Sequence, residues 1–228
     1  MTTPELPGVD ELVRSPARRT LCIVVNREAR VCVRAPADMP LPAIRRFVAE
    51  RQPWIAQKKA AIRRQLSRIV IRSFTEGENF LFKGQLYPLH FSAAAAAPIS
   101  FDRAFIIHER YRDKAREMLT GWYEIKAEQL IGERVKLYAE AFGLDYLALR
   151  IGDTRSQWGS CSAEGKLSFS WRLIMCPTRI IDYVVAHELA HRRYMNHSAA
   201  FWAQVAKMRP DYREQQQWLK DNAPLLRF

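Results

Sequence analysis

The order of apolar and polar positions along the chain predicts short strands in the first half. Two runs rich in β-branched residues, RTLCIVV and RVCVRAP, flank the polar segment NREA and predict a β-hairpin over residues 19–36. Further strands are predicted in NFLFKGQLYPLHF (79–91), where Gly84 indicates a turn, and in ISFDRAFII (99–107).

Apolar residues at helical spacing predict helices in two long segments. In residues 40–73, Pro53 either separates two helices or kinks one, because proline lacks a backbone donor and clashes with the preceding turn. Residues 111–142 predict a long amphipathic helix that ends before Gly143. Its expected apolar side consists of Ala115, Met118, Leu119, Trp122, Ile125, Leu130 and Tyr138.

The last third of the chain predicts a strand in LALRI (147–151) and a hairpin in residues 154–174, centred on SAEGK. Pro177 suits the first turn of a helix over residues 178–194. Two shorter helices are predicted in SAAFWAQVAKM and DYREQQQWLKD.

These elements predict an α+β fold in three parts. Residues 1–16 are expected to be a flexible polar tail, and residues 17–109 a small β-rich part with a basic helix. Residues 110–228 are expected to form a helical domain packed on a short sheet. The alternative is a single intergrown domain.

The composition, 48% hydrophobic and 26% charged, is typical of a globular protein. No apolar run reaches the roughly 18 residues that span a bilayer, and the N-terminus lacks the basic start and apolar block of a secretory signal. We therefore expect a cytoplasmic protein without a membrane partner. The four cysteines form no C-x-x-C pair and are interpreted as small apolar residues.

The net charge of +12 favours attraction to polyanions. The stretch from Arg45 to Arg72 holds nine Lys or Arg residues against one acid, Glu50, and includes Trp54. Such a stretch can bind nucleic acid through phosphate contacts and base stacking. A basic surface without a specific partner is the alternative.

Three of the five histidines lie within eleven residues, in AHELAHRRYMNHSAAFW (186–202). His187 and His191 are four apart, so both rings leave one face of the predicted helix and can hold one ion. With Glu188 they form H-E-x-x-H, in which two histidines bind zinc and the glutamate acts as general base on the zinc-activated water.

A catalytic zinc usually has three protein ligands, and His197 is the candidate for the third. Its spacing matches that of the metzincin proteases, although Tyr194 replaces their glycine; Asn196 is expected to adopt the left-handed conformation instead. The alternative is that the histidines hold no metal. However, burying two imidazoles and a carboxylate in a nearly all-apolar helix costs free energy unless these groups are paired or bind a metal.

Several motifs together resemble one known family. RSQWGSCS, LSFSWRLI, PTRIIDYVVAHELAH and MNHSAAFW are similar to the YgjP-like metallopeptidases, metal-dependent hydrolases related to the SprT-like and WLM zinc proteases. The similarity extends over roughly residues 17–222 and implies a zincin-like catalytic domain with Zn²⁺ and a peptide or protein substrate. It also implies that His187, His191 and His197 are the zinc ligands and Glu188 the catalytic glutamate.

Further candidates for substrate or oxyanion contacts flank the motif. Tyr194, Arg155 and Arg172 could donate to a developing oxyanion, or could simply pack and form ion pairs. Trp158 and Ser160 lie in a segment that is either an edge strand for an extended substrate or a core strand turn.

The sequence is also compatible with two other functions. The arginines near the motif, Arg155, Arg172, Arg192 and Arg193, suggest a metal-dependent nucleotide phosphohydrolase, but no acidic cluster or phosphate-binding glycine loop accompanies them. The other is a nucleic-acid-associated protein with a structural zinc. Such a site needs four ligands, and only Cys161 and Cys176 are near in sequence.

Overall fold

The structure is a computed structural model that describes residues 6–26, 28–67, 72–154 and 157–226. These residues belong to two units, residues 1–70 and residues 71–228. Small sheets and helices occur in both units, and the predicted α+β class is confirmed.

The first unit consists of β1 (Glu11–Ser15), β2 (Cys22–Val25), β3 (Val31–Pro36), α1 (Leu41–Glu50) and α2 (Gln52–Leu66). Its sheet has the order β1-β3-β2, in which β2 and β3 form the predicted antiparallel hairpin and β1 runs parallel to β3. Alternate residues of β3 face a core shared with both helices. This core comprises Leu6, Val9, Val31, Val33, Ala35, Ile44, Val48 and Ile55.

Two features of the first unit bear on the sequence predictions. Pro53 lies in the first turn of α2, directly after the end of α1, so the proline separates two helices. The segment predicted as a flexible tail instead contains β1, and Leu6 and Val9 before it are buried. The polar strand β1 has no strong alternation of its own and is defined by its backbone pairing with β3.

The second unit begins with β4 (Asn79–Phe82), β5 (Gln85–Ser92), β6 (Ile99–Phe101) and β7 (Phe105–His108) in the order β4-β5-β7-β6. Both predicted strand segments are therefore present, and each of them forms an antiparallel pair. Gly84 supplies the predicted turn with a φ of 82°.

A 3₁₀ turn (Glu109–Lys114) leads into α3 (Ala115–Phe142), which ends at the left-handed Gly143 as predicted. The buried side of α3 repeats every four residues; it comprises Ala115, Leu119, Tyr123, Ala127, Ile131, Val135 and Ala139. Ile125, which was expected on the apolar side, is instead 57% exposed. It lies off the four-residue stripe that faces the core.

The sheet of β4 to β7 packs on α3. The ring of Phe105 contacts that of Tyr123, and the Tyr123 hydroxyl donates to the Leu81 carbonyl at 2.6 Å. The contacts thus join residues 79–108 to the helix in the second unit, whereas the sequence pattern predicted a boundary near residue 110. Aromatic packing between elements distant in sequence accounts for the difference.

The site is built on the remaining elements. The strands β8 (Ala148–Gly152), β9 (Gly159–Cys161) and β10 (Lys166–Ser170) form a sheet of order β8-β10-β9, so β9 is an edge strand. A 3₁₀ turn (Trp171–Met175) leads from this sheet to α4 (Thr178–Ala190). Then α5 (Ala199–Met208) and α6 (Tyr212–Asn222) follow, near the predicted positions.

The helix α4 is buried along most of its length. Its only acidic residue before the motif, Asp182, is 5% exposed and accepts two hydrogen bonds from Arg134 of α3. Arg209 completes this buried ion pair from the end of α5 at 3.4 Å. The pairing compensates for burial of the Asp182 charge and fixes α4 between its neighbours.

Among the helices that the structure describes, none combines the length and apolarity that crossing a bilayer requires.

Candidate metal centre

The H-E-x-x-H motif occupies the C-terminal end of α4. His187 lies in the last turn and His191 is the C-cap residue, so their rings project from one face with centroids 5.2 Å apart. The chain then reverses and brings the ring of His197 within 5.1 Å of His187 and 5.0 Å of His191. The three candidate residues, ten positions apart in sequence at most, are therefore adjacent in space.

The reversal between His191 and His197 uses ordinary backbone conformations. Ser198 starts α5, and its side-chain oxygen accepts a hydrogen bond from the Phe201 amide at 3.4 Å. The non-glycine residues with positive φ in the described part of the chain are Ala29, Phe74, Lys83 and Arg103. The expected left-handed Asn196 is therefore wrong, because the connection is long enough to turn without such a residue.

The donor geometry fits a metal ion. One nitrogen from each of the three histidines lies within 4.8 Å of the others, and the Nε2 atoms of His187 and His197 are 3.1 Å apart. Two tetrahedral zinc ligands at their usual bond length are about 3.3 Å apart. His191 Nδ1 lies 3.0 Å from the Tyr194 carbonyl oxygen, which can only accept a hydrogen bond. Nδ1 therefore carries the ring proton as the donor, and Nε2 keeps a lone pair that can bind a metal.

Burial shifts the pKa values of the central groups away from their ordinary values. Burial, with the two neighbouring histidines, lowers the pKa of His187 to about 4, and burial also lowers the pKa of His191. Both rings are therefore neutral near pH 7, the form that binds metals. Burial raises the pKa of Glu188 to about 8, which increases its affinity for a proton.

Two aromatic residues of α5 support the histidine rings. The buried ring of Phe201 lies 4.9, 4.6 and 4.7 Å from the rings of His187, His191 and His197. Trp202 stacks on His197 at 5.8 Å. Contacts of this kind restrict ring orientation and so keep the three donors convergent.

The glutamate of the motif lies against the edge strand β9. A Cβ atom built on Gly159 would lie 2.6 Å from Cγ and 2.7 Å from Oε1 of Glu188. Only a residue without a side chain lets β9 approach the carboxylate this closely. The sequence indicated no contact between Gly159 and Glu188; its only signal is the position of the glycine in RSQWGSCS, directly after Trp158.

If the centre hydrolyses peptides, as the family resemblance implies, replacing Gly159 by alanine should lower the rate about 10- to 100-fold, because the new methyl group must displace Glu188 or β9. The metal content should remain that of the wild type. Gly152→Ala in the same sheet is the matched control, since a Cβ there meets nothing within 4 Å. Equal activity of the two variants, measured as initial rates on one peptide, would contradict the proposed contact.

Comparison with protein families identifies the chain. The family described as YgjP-like, metallopeptidase domain, matches residues 19–222, nearly the whole sequence. The chain belongs to the YgjP-like metallopeptidase family. This confirms the resemblance that its motifs indicate.

Other comparisons contribute less. The chain is similar to the metallopeptidase zymogen abylysin of Pyrococcus abyssi, with 19% sequence identity and a TM-score of 0.37 over 40% of this chain and 93% of that one. No curated protein matches the chain.

The weaker candidates of this YgjP-like chain occupy different positions. Tyr194 orients His191 through its backbone carbonyl, and its side chain is 38% exposed. Arg172 is buried, pairs with Asp153 and lies over the Trp171 ring. Arg155 lies outside the described residues. The proposed oxyanion contacts of all three remain predictions.

Trp158 and Ser160 belong to the β9 region, as both interpretations required. Trp158 is half-buried and packs on the core of the second unit, and its carbonyl accepts from the Ser170 amide. Ser160 pairs with Ser168 across β9 and β10. The tryptophan therefore contributes to packing, while the strand itself is located at the sheet edge.

Arg192 and Arg193, directly after the motif, bind backbone carbonyls. Arg192 donates to Asp145 and Ala163, and Arg193 donates to Phe142, each at 3.0 to 3.2 Å. These bonds tie the end of α4 to the end of α3 and to the β9–β10 hairpin. This role was not predictable from the sequence, because acceptors 29 to 51 residues away give no local signal.

Proposed function

We propose that this protein is a zinc-dependent peptidase in which His187, His191 and His197 hold the metal and Glu188 is the general base. The observation that carries the proposal is the convergence of three imidazole rings beside a buried carboxyl group. The family assignment supports peptide hydrolysis as the reaction.

The donor set favours zinc. Three nitrogen ligands with no thiolate and no coordinating carboxylate suit zinc better than magnesium or calcium, which prefer oxygen ligands. Among the described residues the cluster of possible metal ligands has three members. A tetrahedral ion held by them would therefore keep one position for a water or a substrate carbonyl. That open position is typical of catalytic rather than structural zinc sites.

When bound, a zinc ion would polarise the scissile carbonyl and make an attacking water more acidic. Glu188 then accepts the proton of the attacking water at a carboxylate oxygen and passes it to the nitrogen of the leaving amine. The raised pKa of Glu188 lies near neutral pH, which suits a group that takes up a proton and then returns it. Gly159 keeps β9 close to Glu188 without touching the reacting atoms.

The edge strand β9 is the proposed substrate platform. One side of β9 pairs with β10, which leaves the outer backbone groups of Gly159–Cys161 available to an extended peptide. A peptide paired there would pass the Glu188 carboxylate, which Gly159 contacts from the same strand. Main-chain pairing of this kind binds peptides with little dependence on their side chains.

Three of the four arginines that suggested a nucleotide phosphohydrolase have other partners, and the fourth, Arg155, lies outside the described residues. Arg172, Arg192 and Arg193 are engaged by a carboxylate or by backbone carbonyls. Guanidinium groups held in this way are not positioned as a phosphate clamp.

The proposal is tested on purified protein by metal analysis and by cleavage of a mixed peptide library. We expect about one equivalent of zinc, loss of cleavage after chelation and recovery on adding zinc. Nucleoside triphosphates assayed in parallel should remain intact. Protein that purifies without metal and cannot be reconstituted would refute the metal site; nucleotide hydrolysis without peptide cleavage would refute the reaction.

A further inference from the structure

The basic charge of the chain is concentrated in the first unit. Residues 1–70 contain 14 Lys or Arg and 6 Asp or Glu, a net charge of +8, whereas the remaining 158 residues contribute +4 of the total +12. Within this unit the helices α1 and α2 carry most of the basic stretch singled out in the sequence. Residues 68–71 of that stretch lie outside the described part of the chain.

Five basic side chains in residues 46–64 are exposed to solvent. An exposed basic group comprises Arg46, Arg51, Lys58, Arg63 and Arg64, and we refer to it as the basic helix surface. None of its members forms an ion pair with a carboxylate among the described residues. An ordinary solvated helix face mixes charges of both signs, so this unbalanced surface attracts anions.

Trp54 lies in α2, on the helix face that carries Lys58. It is 43% exposed, unlike the buried Ile55 beside it, and it does not belong to the apolar core of the first unit. Lys58 is four residues further along α2, so its ammonium group and the indole ring project from adjacent positions on one helix face. An exposed tryptophan next to unpaired cations offers a stacking face together with charge.

We propose that the basic helix surface binds single-stranded nucleic acid, with cations contacting phosphates and Trp54 stacking on a base. Charge complementarity identifies a polyanion as the occupant, and Trp54 favours a single strand, because stacking needs a base that is not already stacked in a duplex. Phosphates and base faces are common to DNA and RNA, so a single strand of either nucleic acid fits. The proposal does not depend on the metal site or on peptidase activity.

Binding is measured on the full-length protein by fluorescence anisotropy of a labelled 20-nucleotide strand of mixed sequence. Single-stranded DNA and RNA are expected to bind within a few-fold of each other, and the matching duplex more weakly. The logarithm of the affinity should fall linearly with that of the salt concentration, by about 0.7 per phosphate contact. Equal or tighter binding of the duplex would overturn the assignment of a single strand.

Two variants with matched controls locate the contact. Trp54→Ala should weaken binding about fivefold or more, whereas Trp54→Phe, which keeps a stacking ring, should restore most of the affinity. Lys58→Glu with Arg64→Glu should weaken binding more than tenfold and lower the salt slope by about 1.4. Lys207→Glu with Lys220→Glu makes the same change in net charge on exposed positions of α5 and α6 and should have little effect.

Specific outcomes would overturn the proposal. Equal losses in both charge-reversal variants, or an unaffected Trp54→Ala variant, would indicate attraction by net charge alone. Binding to phosphatidylserine vesicles without binding to the oligonucleotides would indicate a membrane surface instead. Circular dichroism spectra identical to those of the wild type ensure that a loss of binding is not a loss of folding.

Discussion

Replacing Glu188 by glutamine is expected to abolish peptide hydrolysis while the protein keeps its fold and its metal. Glutamine has the size of glutamate but cannot accept a proton from the attacking water, so the rate should fall about 10²- to 10⁴-fold. The side chain is 5% exposed, and burial already disfavours its charged form, so the neutral amide is a conservative replacement. The three histidines are unchanged and should bind metal as before.

The measurement compares initial rates of peptide cleavage with metal content for the same protein sample. Glu128→Gln on the exposed side of α3 is the control for the chemical change and should behave as the wild type. A Glu188→Gln variant with full metal content and wild-type rates would exclude Glu188 as the base. Loss of metal together with activity would instead assign Glu188 to the integrity of the site.

Replacing His197 by alanine is expected to remove the metal and with it the activity. The Nε2 atoms of His197 and His187 are 3.1 Å apart, so deletion of one ring leaves the ion with two ligands on α4. Metal affinity should fall by more than the 10- to 100-fold that loss of an outer hydrogen-bond partner costs. His90→Ala is the control, because His90 is exposed and pairs with Glu76 at 2.6 Å, away from the cluster.

A thermal melt separates a ligand role from a packing role, since His197 also stacks on Trp202. A metal that binds only the folded protein stabilises it, so zinc should raise the melting temperature of the wild type and leave that of His197→Ala unchanged. The metal-free proteins should melt close together. A variant that still holds one equivalent of metal would show that His197 is not a ligand.

Most local elements of this protein were predictable from its sequence. The hairpins, the division at Pro53 and the end of α3 at Gly143 follow from turn residues and periodic apolar positions. Such signals act over a few residues and do not depend on the rest of the fold. The strand β1 was missed because its pairing with β3 depends on backbone partners about 20 residues away.

The candidate site was likewise predictable in part from the sequence. The spacing of His187, Glu188 and His191 sets their relative positions as soon as a helix forms, because its geometry is regular. Their sequence is therefore sufficient to predict two donors on one face and a carboxylate beside them. His197 was predicted from its spacing as well, but only the reversal after α4 and the Phe201 contact show that its ring reaches the others.

The sequence alone determined the family, the helix that carries the motif and the residue types of the proposed centre. The tertiary structure decided that Glu188 is buried against Gly159, that Arg192 and Arg193 hold the backbone, and that Trp54 stays exposed among cations. These properties arise from contacts between segments far apart in the chain, or from their absence. Local patterns carry no information about which distant surface covers a side chain, and burial controls both pKa and accessibility.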